Sequence, residues 1–283
     1  MSQADPLEYD IVIVGSGIVG LSFANELIDT DFSVAIVERA ELKPVAEQSD
    51  CRVSAINRSA LKRFARSGVF QSELAQRVCA YEKMFVWDQT GAGQIQFDSA
   101  ELGVSELGAI IENNVLQQML LDKVKVADYI DYLCPEEISS IDYSYDNEQA
   151  ADISIDLASA QRLRASLLIG ADGVNSRVRE VAGIQRKRQP YQQQGLVCNV
   201  TTSEPHQNTA WQCFMPTGPL AFLPLYNGQS SIVWSLDEEA ALAAMALDDD
   251  AFKQALAEAG EYRLGEITEV SQRFLFPLTH GHA

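Results

Sequence analysis

The fold of this chain is decided by one stretch near its start, Asp10-Ile-Val-Ile-Val-Gly15-Ser-Gly17-Ile-Val-Gly20. Its first half is an apolar, β-branched run, which is typical of the central strand of a parallel sheet covered on both faces. Apolar residues at helical spacing follow the glycines, and a second strand, Ser33–Val37, ends at Glu38. This order of strand, turn, helix and strand predicts a βαβ unit.

Each glycine of the turn has a mechanical reason. Gly15 allows a tight turn, Gly17 lets the backbone approach a pyrophosphate, and Gly20 lets the helix pack against the strand. The helix N-terminus offers free N–H groups to phosphates, and a carboxylate at Glu38 accepts hydrogen bonds from ribose hydroxyls. A turn kept only for packing would explain the glycines but not Glu38. The stretch therefore predicts a dinucleotide site, and the acid favours NAD or FAD over NADP.

Composition and charge narrow the possible functions. The 283 residues are 47% hydrophobic and carry 40 acidic against 21 basic side chains, a net charge of −19. This balance repels phosphate backbones, so we expect no nucleic-acid partner. No apolar run approaches the roughly 20 residues of a membrane span, and the polar start predicts neither a signal nor a transit peptide. Five widely spaced cysteines indicate reduced thiols and a cytoplasmic protein.

Beyond the first βαβ unit the hydrophobic period changes several times. Helical spacing covers Arg52–Phe64 and Asn113–Val126, whereas Met84–Trp87 and Gln94–Phe97 flank a turn and predict a β-hairpin. The remaining predicted elements are a strand pair, Ile138–Tyr145 and Asp152–Leu157 joined by the polar turn Asp146–Gln149, the strand Ala165–Ala171, short strands between Leu196 and Ser235, and helices at Asp237–Leu247 and Asp250–Ala259.

These changes of period predict two domains threaded through each other. Residues 1–80 and 105–184 would form an α/β domain that binds the dinucleotide. Residues 81–104 and 185–283 would form a β-rich domain of mixed sheet plus helices.

A second motif, Asp172-Gly-Val-Asn-Ser176-Arg-Val-Arg179, follows an apolar strand. Read locally, it is an Asp-Gly turn before a helix that Asn175 or Ser176 caps. In its amino-acid sequence and in its distance from the first glycine motif, it resembles the second fingerprint of single-component flavoprotein aromatic hydroxylases, the p-hydroxybenzoate hydroxylase type. In that group the segment is associated with both FAD and the pyridine nucleotide.

The resemblance extends over essentially the entire chain. It is similar to the ubiquinone-biosynthesis hydroxylases of the 2-octaprenylphenol and 6-methoxyphenol hydroxylase type. The segments that carry this similarity are Cys51–Leu61, Ile110–Leu116 at the start of the next helix, Tyr191–Gly195, Pro205-His206, Gly218–Leu225 and Ser231–Trp234. The family's third fingerprint, which holds the ribityl chain and the flavin ring, has no counterpart here, so the resemblance implies a C-terminally truncated chain whose FAD domain continues after residue 283.

The resemblance implies a fold and an activity. We expect a Rossmann-like FAD/NAD(P)-binding domain interleaved with a substrate domain. The reaction would be hydroxylation of an aromatic ring with FAD, NAD(P)H as reductant and O2. The substrate would be a prenylated phenol or quinone precursor, and other ubiquinone-biosynthesis proteins would be partners that bring the protein to the inner membrane.

Because the flavin carries this chemistry, we expect no catalytic side chain and no metal ligand. The expected cofactor contacts are Gly15, Gly17, Ile18 and Gly20 at the pyrophosphate, Glu38 at the ribose, Arg39 beside the adenine, Arg52 at the flavin or a phosphate, Gln117 at the ribityl chain, and Asp172 with Gly173 near the pyrophosphate or ribityl chain. A solvent-facing side chain is the simpler interpretation of Gln117, and Arg177 and Arg179 would either attract NAD(P)H or lie on the surface.

Two other functions remain open. An NAD-dependent dehydrogenase or amine oxidase would share the βαβ unit, but the segment 170–179 disfavours it. A non-catalytic binding or assembly module is favoured by the missing third fingerprint. His280 and His282 could bind a metal, yet without Cys or carboxylate partners at a chain end they indicate a frayed tail.

Overall fold

The computed structural model describes residues 5–144 and 152–282, so the predicted turn Asp146–Gln149 lies outside the described residues. Strands β1 to β17 are Leu7–Val14, Val34–Val37, Val53–Asn57, Cys79–Tyr81, Lys83–Asp88, Gln94–Asp98, Gly108–Glu112, Ile130–Leu133, Ile138–Ser144, Asp152–Leu157, Arg162–Gly170, Lys187–Thr202, Thr209–Met215, Gly218–Pro224, Ser230–Asp237, Ile267–Val270 and Phe274–His282. Helices α1 to α6 are Ile18–Glu26, Arg58–Arg66, Asn113–Lys125, Arg177–Val181, Glu238–Ala246 and Asp249–Ala259.

The first sheet has the strand order β8-β2-β1-β11-β10-β9. β1 lies at its centre and runs parallel to β2 and β11. Val12 and Ile13 are completely buried, on opposite faces, because helices or strands cover both sides of this part of the sheet. The central parallel strand predicted from the apolar run is therefore confirmed.

The second sheet joins strands from distant parts of the sequence. Its order is β16-β12-β15-β14-β13-β5-β6, and β17 also pairs with β12. The predicted hairpin is confirmed as β5 and β6, and β5 runs parallel to β13. One face of this sheet packs on α5 and α6 through a buried cluster that includes Trp87, Trp234 and Phe252.

A small third sheet, β3-β7-β4, corrects one sequence prediction. Residues 53–57 were expected to begin a helix, but they form β3 and pair with β7; the helix begins only at Arg58. Asn57 marks the boundary, since its side chain accepts a hydrogen bond from the Ala60 N–H and caps α2. Tertiary pairing with β7 outweighs the helical spacing because it aligns five residues with a neighbouring strand and forms backbone hydrogen bonds to it.

Two further predictions are corrected at element ends. Ile110 and Ile111 belong to β7, and the helix after them begins at Asn113. His280 does not lie in a frayed tail: it forms part of β17 and pairs with Gln189 of β12. The fold class is confirmed as α/β units together with a β-rich part, while the domain boundaries stay a prediction. Within the described ranges no helix is long and apolar enough to cross a bilayer.

Candidate cofactor site

A cavity of about 440 Å³ opens at the carboxyl ends of β1, β2 and β11. In open α/β sheets this edge is where ligands bind. Segments far apart in sequence line the cavity: Val14, Gly15, Gly17, Val37, Glu38, Arg39, Gln117, Glu136, Glu137, Ile138, Ala171, Asp172, Gly173, Asn175 and Arg177. The two sequence motifs therefore meet at one site.

Gly15 and Gly20 are required by the fold itself. Gly15 has a φ of +99°, and a Cβ there would lie 2.5 Å from the Ala171 carbonyl oxygen. A Cβ at Gly20 would lie 2.1 Å from the Gly15 carbonyl oxygen. Both contacts are too short for any side chain, so these glycines allow α1 to pack closely on the β1 turn.

Gly17 differs from its neighbours because the protein places nothing beside it. Its backbone is extended (φ −66°, ψ 173°), and a Cβ there would meet no atom within 4 Å. Gly17 is the N-cap of α1, which has no side-chain cap, and it lines the cavity. The open space therefore lies where a ligand would approach the N-terminus of the helix, an end that favours phosphate.

Glu38 braces the glycine turn. One carboxylate oxygen accepts hydrogen bonds from the Ser16 N–H at 2.7 Å and the Ser16 hydroxyl at 3.1 Å, and the other accepts from the Ala40 N–H at 3.1 Å. A carboxylate can accept about four hydrogen bonds, so capacity for a ribose hydroxyl remains. Ser16 is a site residue that the motif analysis missed.

Gln117 does not point to solvent, which was the simpler interpretation of its side chain. Its Nε2 donates to the Ser16 carbonyl oxygen at 2.8 Å and joins α3 to the glycine turn. The Ser16 hydroxyl also lies 3.2 Å from the hydroxyl of Tyr132. Burial raises the pKa of Tyr132 to about 12, so this phenol is protonated at neutral pH. Side chains from three elements thus hold one residue of the turn.

Asp172 combines a structural role with an unused acceptor. Its Oδ2 accepts hydrogen bonds from the N–H groups of Arg177 at 2.6 Å and Val178 at 3.2 Å. Ser176 caps the same helix by accepting from Arg179 N–H, which confirms one of the two predicted caps. The second oxygen of Asp172, Oδ1, is buried and has no partner among the described residues. A buried acceptor without a partner, on a residue that lines the cavity, fits a ligand that donates a hydrogen bond.

The other predicted residues lie at various distances from this cavity. Arg39 and Gly173 line it, whereas the side chain of Ile18 packs into the core beneath α1. Arg177 lines it too, and its guanidinium donates to the carbonyl groups of Ile138 and Ser139. Arg52 is outside the lining: its guanidinium lies 5.4 Å from the ring centroid of Phe276 in β17.

Arg52 is the last residue of the segment 46–52, hereafter the 46–52 loop. Side chains from other parts of the molecule hold this loop in place. Arg77 and Glu112 form an ion pair beneath the loop, with 2.6 Å between Nη2 and Oε2, and their side chains are only 7% and 1% exposed. Glu112 also accepts from the Asp50 N–H at 2.6 Å, and Arg77 donates to the Ala46 carbonyl at 2.6 Å. The pair therefore binds the loop from the side of the first and third sheets.

The second sheet holds the same loop from the other side. Asn199 of β12 donates to the Ser49 carbonyl at 3.0 Å, and Ser231 of β15 donates to the Cys51 carbonyl at 3.0 Å. The 46–52 loop thus connects the second sheet with the part of the molecule that carries the cofactor cavity.

Glu136 and Glu137 are cavity residues that sequence reasoning missed. They follow β8, which lies beside β2 in the first sheet, and the Glu136 N–H donates to the Glu38 carbonyl at 2.8 Å. No local motif marks them, because only the parallel pairing of β8 with β2 brings them to the cavity.

The arrangement can hold a dinucleotide. It offers a helix N-terminus with an open glycine, a carboxylate beside it, and a buried carboxylate oxygen without a partner. These features fit FAD. Over residues 5–144 and 152–282, no group of three or more His, Cys, Asp or Glu side chains is placed to hold a metal ion.

Comparison with known sequences also indicates an FAD-binding protein. The family model described as FAD binding domain matches residues 8–273. The chain is 35% identical over 277 residues to 3-demethoxyubiquinol 3-hydroxylase of Escherichia coli (strain K12), covering 97% of this chain and 69% of that protein. It is 34% identical over 264 residues to the mitochondrial ubiquinone biosynthesis monooxygenase COQ6 of Xenopus tropicalis, covering 89% of this chain and 56% of that protein. The chain thus spans between about half and two thirds of these relatives.

Solved structures share the fold at lower identity. A variant of PqsL from Pseudomonas aeruginosa superposes with a TM-score of 0.74 at 19% identity, covering 96% of this chain and 74% of that one. The p-nitrophenol 4-monooxygenase PnpA from Pseudomonas putida superposes with a TM-score of 0.72 at 15% identity, covering 98% and 69%. At these identities the likeness shows the architecture alone.

Proposed function

The chain belongs to the FAD-binding family of ubiquinone-biosynthesis hydroxylases, and from this membership we propose that it is the FAD-binding and substrate-binding part of a monooxygenase. Its reaction would be hydroxylation of the aromatic ring of a polyprenylated phenol, with NAD(P)H as reductant and O2 as the source of oxygen. When bound, FAD supplies the redox chemistry of this reaction.

The observation that carries the proposal is the contrast between Gly20 and Gly17. The fold needs a glycine at Gly20, where a Cβ would meet backbone at 2.1 Å, but it needs none at Gly17, where a Cβ would meet nothing. An N-cap can be any of several residues, so a glycine that packing does not require, at a helix N-terminus that lines a cavity, is explained by a phosphate group that must approach the backbone closely.

Different residues would bind different parts of the cofactor. The N–H groups at the start of α1 would bind the pyrophosphate next to Gly17. Glu38 would accept a ribose hydroxyl with its remaining lone pair, and Asp172 Oδ1 would accept a further hydrogen bond. Arg39 would lie beside the adenine. Arg52, which is outside the lining of this cavity, would contact the flavin or a phosphate. Arg177 and Arg179 would attract NAD(P)H.

The second sheet supports an apolar aromatic substrate. Ile95, Phe97 and Phe214 are 51%, 46% and 50% exposed. Since side chains alternate along a strand, they lie on the face opposite to the one that packs on α5 and α6. The names of the relatives, a demethoxyubiquinol hydroxylase and a ubiquinone biosynthesis monooxygenase, point to a ring that carries a polyprenyl tail.

Titration of the protein with FAD, followed by the quenching of flavin fluorescence, tests the site. We expect Gly17→Val to weaken binding by about 100-fold or more, because losing two hydrogen bonds to charged phosphates costs about 1.5–3 kcal/mol each. Gly91→Val is the matched control, since Gly91 lies in the exposed β5–β6 turn and a Cβ there would meet one atom, at 3.9 Å. Unchanged FAD affinity in Gly17→Val would refute this placement of the cofactor.

A second measurement separates the enzyme from a non-catalytic module. The FAD-loaded protein is mixed with NAD(P)H and a short-chain prenylphenol in air, and the products are analysed by mass spectrometry. A product heavier by one oxygen atom supports the monooxygenase. FAD binding without NAD(P)H oxidation supports the binding or assembly module instead.

A further inference from the structure

One long segment of this acidic chain carries basic residues and no acidic ones. Residues 51–72 contain no Asp or Glu and five Lys or Arg, in a protein whose net charge is −19. Most of this segment forms β3 and α2. Local reversal of charge on an acidic protein creates a surface patch that attracts anions.

Helix α2 presents these charges on one side. Lys62, Arg63 and Arg66 are exposed, while Phe64 is buried in the core. The end of α3 extends the same surface, because the Lys123 Nζ lies 3.0 Å from the position of a Cβ on Gly68, just after α2. Four side chains form this surface, hereafter the basic face: Lys62, Arg63, Arg66 and Lys123.

The basic face is not neutralised by the protein. No carboxylate of the described residues lies within 4.0 Å of its charged groups, although the chain has 40 acidic side chains. Lys62 and Arg66 are four residues apart on α2, and like charges at this spacing repel. Bases in the last turns of α2 and α3 interact favourably with the helix dipoles, but Lys62 lies outside the last turn of α2 and gains less.

We propose that the basic face docks the protein on a membrane that carries anionic phospholipids. A flat bilayer contacts one face of a protein, so the acidity elsewhere does not oppose it as it would oppose a polyanion that wraps around the molecule. Val126 lies three residues after Lys123, and Tyr129 follows it; they are 77% and 62% exposed and would supply apolar side chains for the interface. The need for this docking rests on the proposed function, because a polyprenylated substrate dissolved in the bilayer requires the protein to contact the membrane surface.

Co-sedimentation with lipid vesicles tests the proposal. The wild-type chain is expected to bind phosphatidylcholine vesicles that contain one third phosphatidylglycerol, to release at high salt, and not to bind pure phosphatidylcholine. The triple variant Lys62→Gln, Arg63→Gln, Arg66→Gln should bind roughly 100-fold more weakly, at about fivefold per basic side chain near an anionic membrane.

A control variant removes the same number of charges elsewhere. Arg186→Gln, Lys187→Gln, Arg188→Gln changes a second basic stretch, at the start of β12, in which Arg186 is half-buried and donates to the Val174 carbonyl; it should keep vesicle binding within about twofold of wild type. Equal loss in both triple variants, or no wild-type binding to anionic vesicles, would overturn the proposal. Binding to soluble polyglutamate but not to vesicles would also overturn it, in favour of an acidic protein partner.

FAD titration of the same proteins keeps the two proposals apart. Neither the residues of the basic face nor residues 186–188 line the cofactor cavity, so both triple variants should bind FAD as wild type does. Failure of the wild-type protein to bind FAD would refute the proposed function. The vesicle result would still decide whether the basic face binds anionic membranes. Circular dichroism establishes that each variant is folded.

Discussion

The glycine turn Gly15–Gly20 and the 46–52 loop both belong to the part of the molecule where the cofactor is proposed to bind, but they are held in different ways. The glycine turn is held mainly by its own backbone, because neighbouring carbonyl groups leave no room for side chains at Gly15 and Gly20. The 46–52 loop is held by side chains of Arg77, Glu112, Asn199 and Ser231, from four segments outside the loop.

The difference teaches which parts of a site a sequence reveals. A turn that depends on backbone approach must use glycine, so its letters are visible in the chain. A loop held by a buried ion pair leaves no local pattern, because Arg77 and Glu112 are 35 residues apart and either could be a surface residue. The comparison also predicts that the two segments fail differently when mutated.

The largest effect is expected at Glu112. Glu112→Gln leaves the Arg77 guanidinium buried without its counter-ion, which should lower the free energy of unfolding by about 3–5 kcal/mol. Asp156→Asn is the control, because the ion pair of Asp156 with Arg162 also joins a carboxylate to an arginine, at 2.7 Å, but its side chains are 35% and 42% exposed, so its loss should cost at most about 1 kcal/mol. Urea unfolding measures both, and equal losses would show that burial does not matter here.

Gly20→Ala should come next. Its Cβ would lie 2.1 Å from the Gly15 carbonyl, so the turn or α1 must shift, at a cost of about 3 kcal/mol. Gly17→Ala adds the same atom where nothing stands in its way and should cost no more than about 1 kcal/mol, the loss of a favourable N-cap residue. If urea unfolding shows the same loss of stability in both variants, then it is wrong that packing requires glycine at Gly20 and ligand binding requires it at Gly17.

The thiol of Cys51 reports whether the 46–52 loop stays closed. Burial, and then the Asp50 carboxylate, raise the pKa of Cys51 from 9.0 to about 11, which lowers the thiolate fraction near neutral pH about 100-fold. In a Cys134→Ser background, which removes the least buried cysteine, we expect iodoacetamide to modify Cys51 about 100-fold more slowly in the folded than in the unfolded protein.

The same measurement connects the thiol to the ion pair. Adding Glu112→Gln to that background should accelerate modification of Cys51 when the variant is still folded, because the Asp50 N–H loses its carboxylate partner. Rapid modification already in the parent protein would show that the side chains around the loop do not hold it closed.

The smallest effect is expected at Gln117. Gln117→Leu removes one hydrogen bond to the Ser16 carbonyl, worth about 1 kcal/mol, and should weaken FAD binding about fivefold by loosening the turn. Gln118→Leu is the control, because Gln118 bonds only to Asp122 on its own helix. A loss of stability without a change in FAD affinity would mean that Gln117 supports α3 alone.

The local sequence determined the elements whose patterns are complete over a few residues. The apolar run before Gly15, the turn, the strand that ends at Glu38, the β5–β6 hairpin and helix α3 all followed from period and turn chemistry. The same reasoning failed at residues 53–57. Their sequence is compatible with both a helix and a β-branched strand, and only pairing with β7 selects the strand. It also missed Glu136 and Glu137, which reach the cavity through the pairing of β8 with β2.

By itself, then, the sequence determined that this chain has a turn that a dinucleotide can approach, because close backbone approach requires glycine and leaves a readable motif. Tertiary structure decided that Gln117 binds that turn instead of facing water, that Glu112 and Arg77 lie buried beneath the 46–52 loop, and that Asp172 keeps one acceptor without a partner. Whether a polar side chain is exposed or paired depends on which distant segments pack against it, and spacing along one strand or helix carries no record of that.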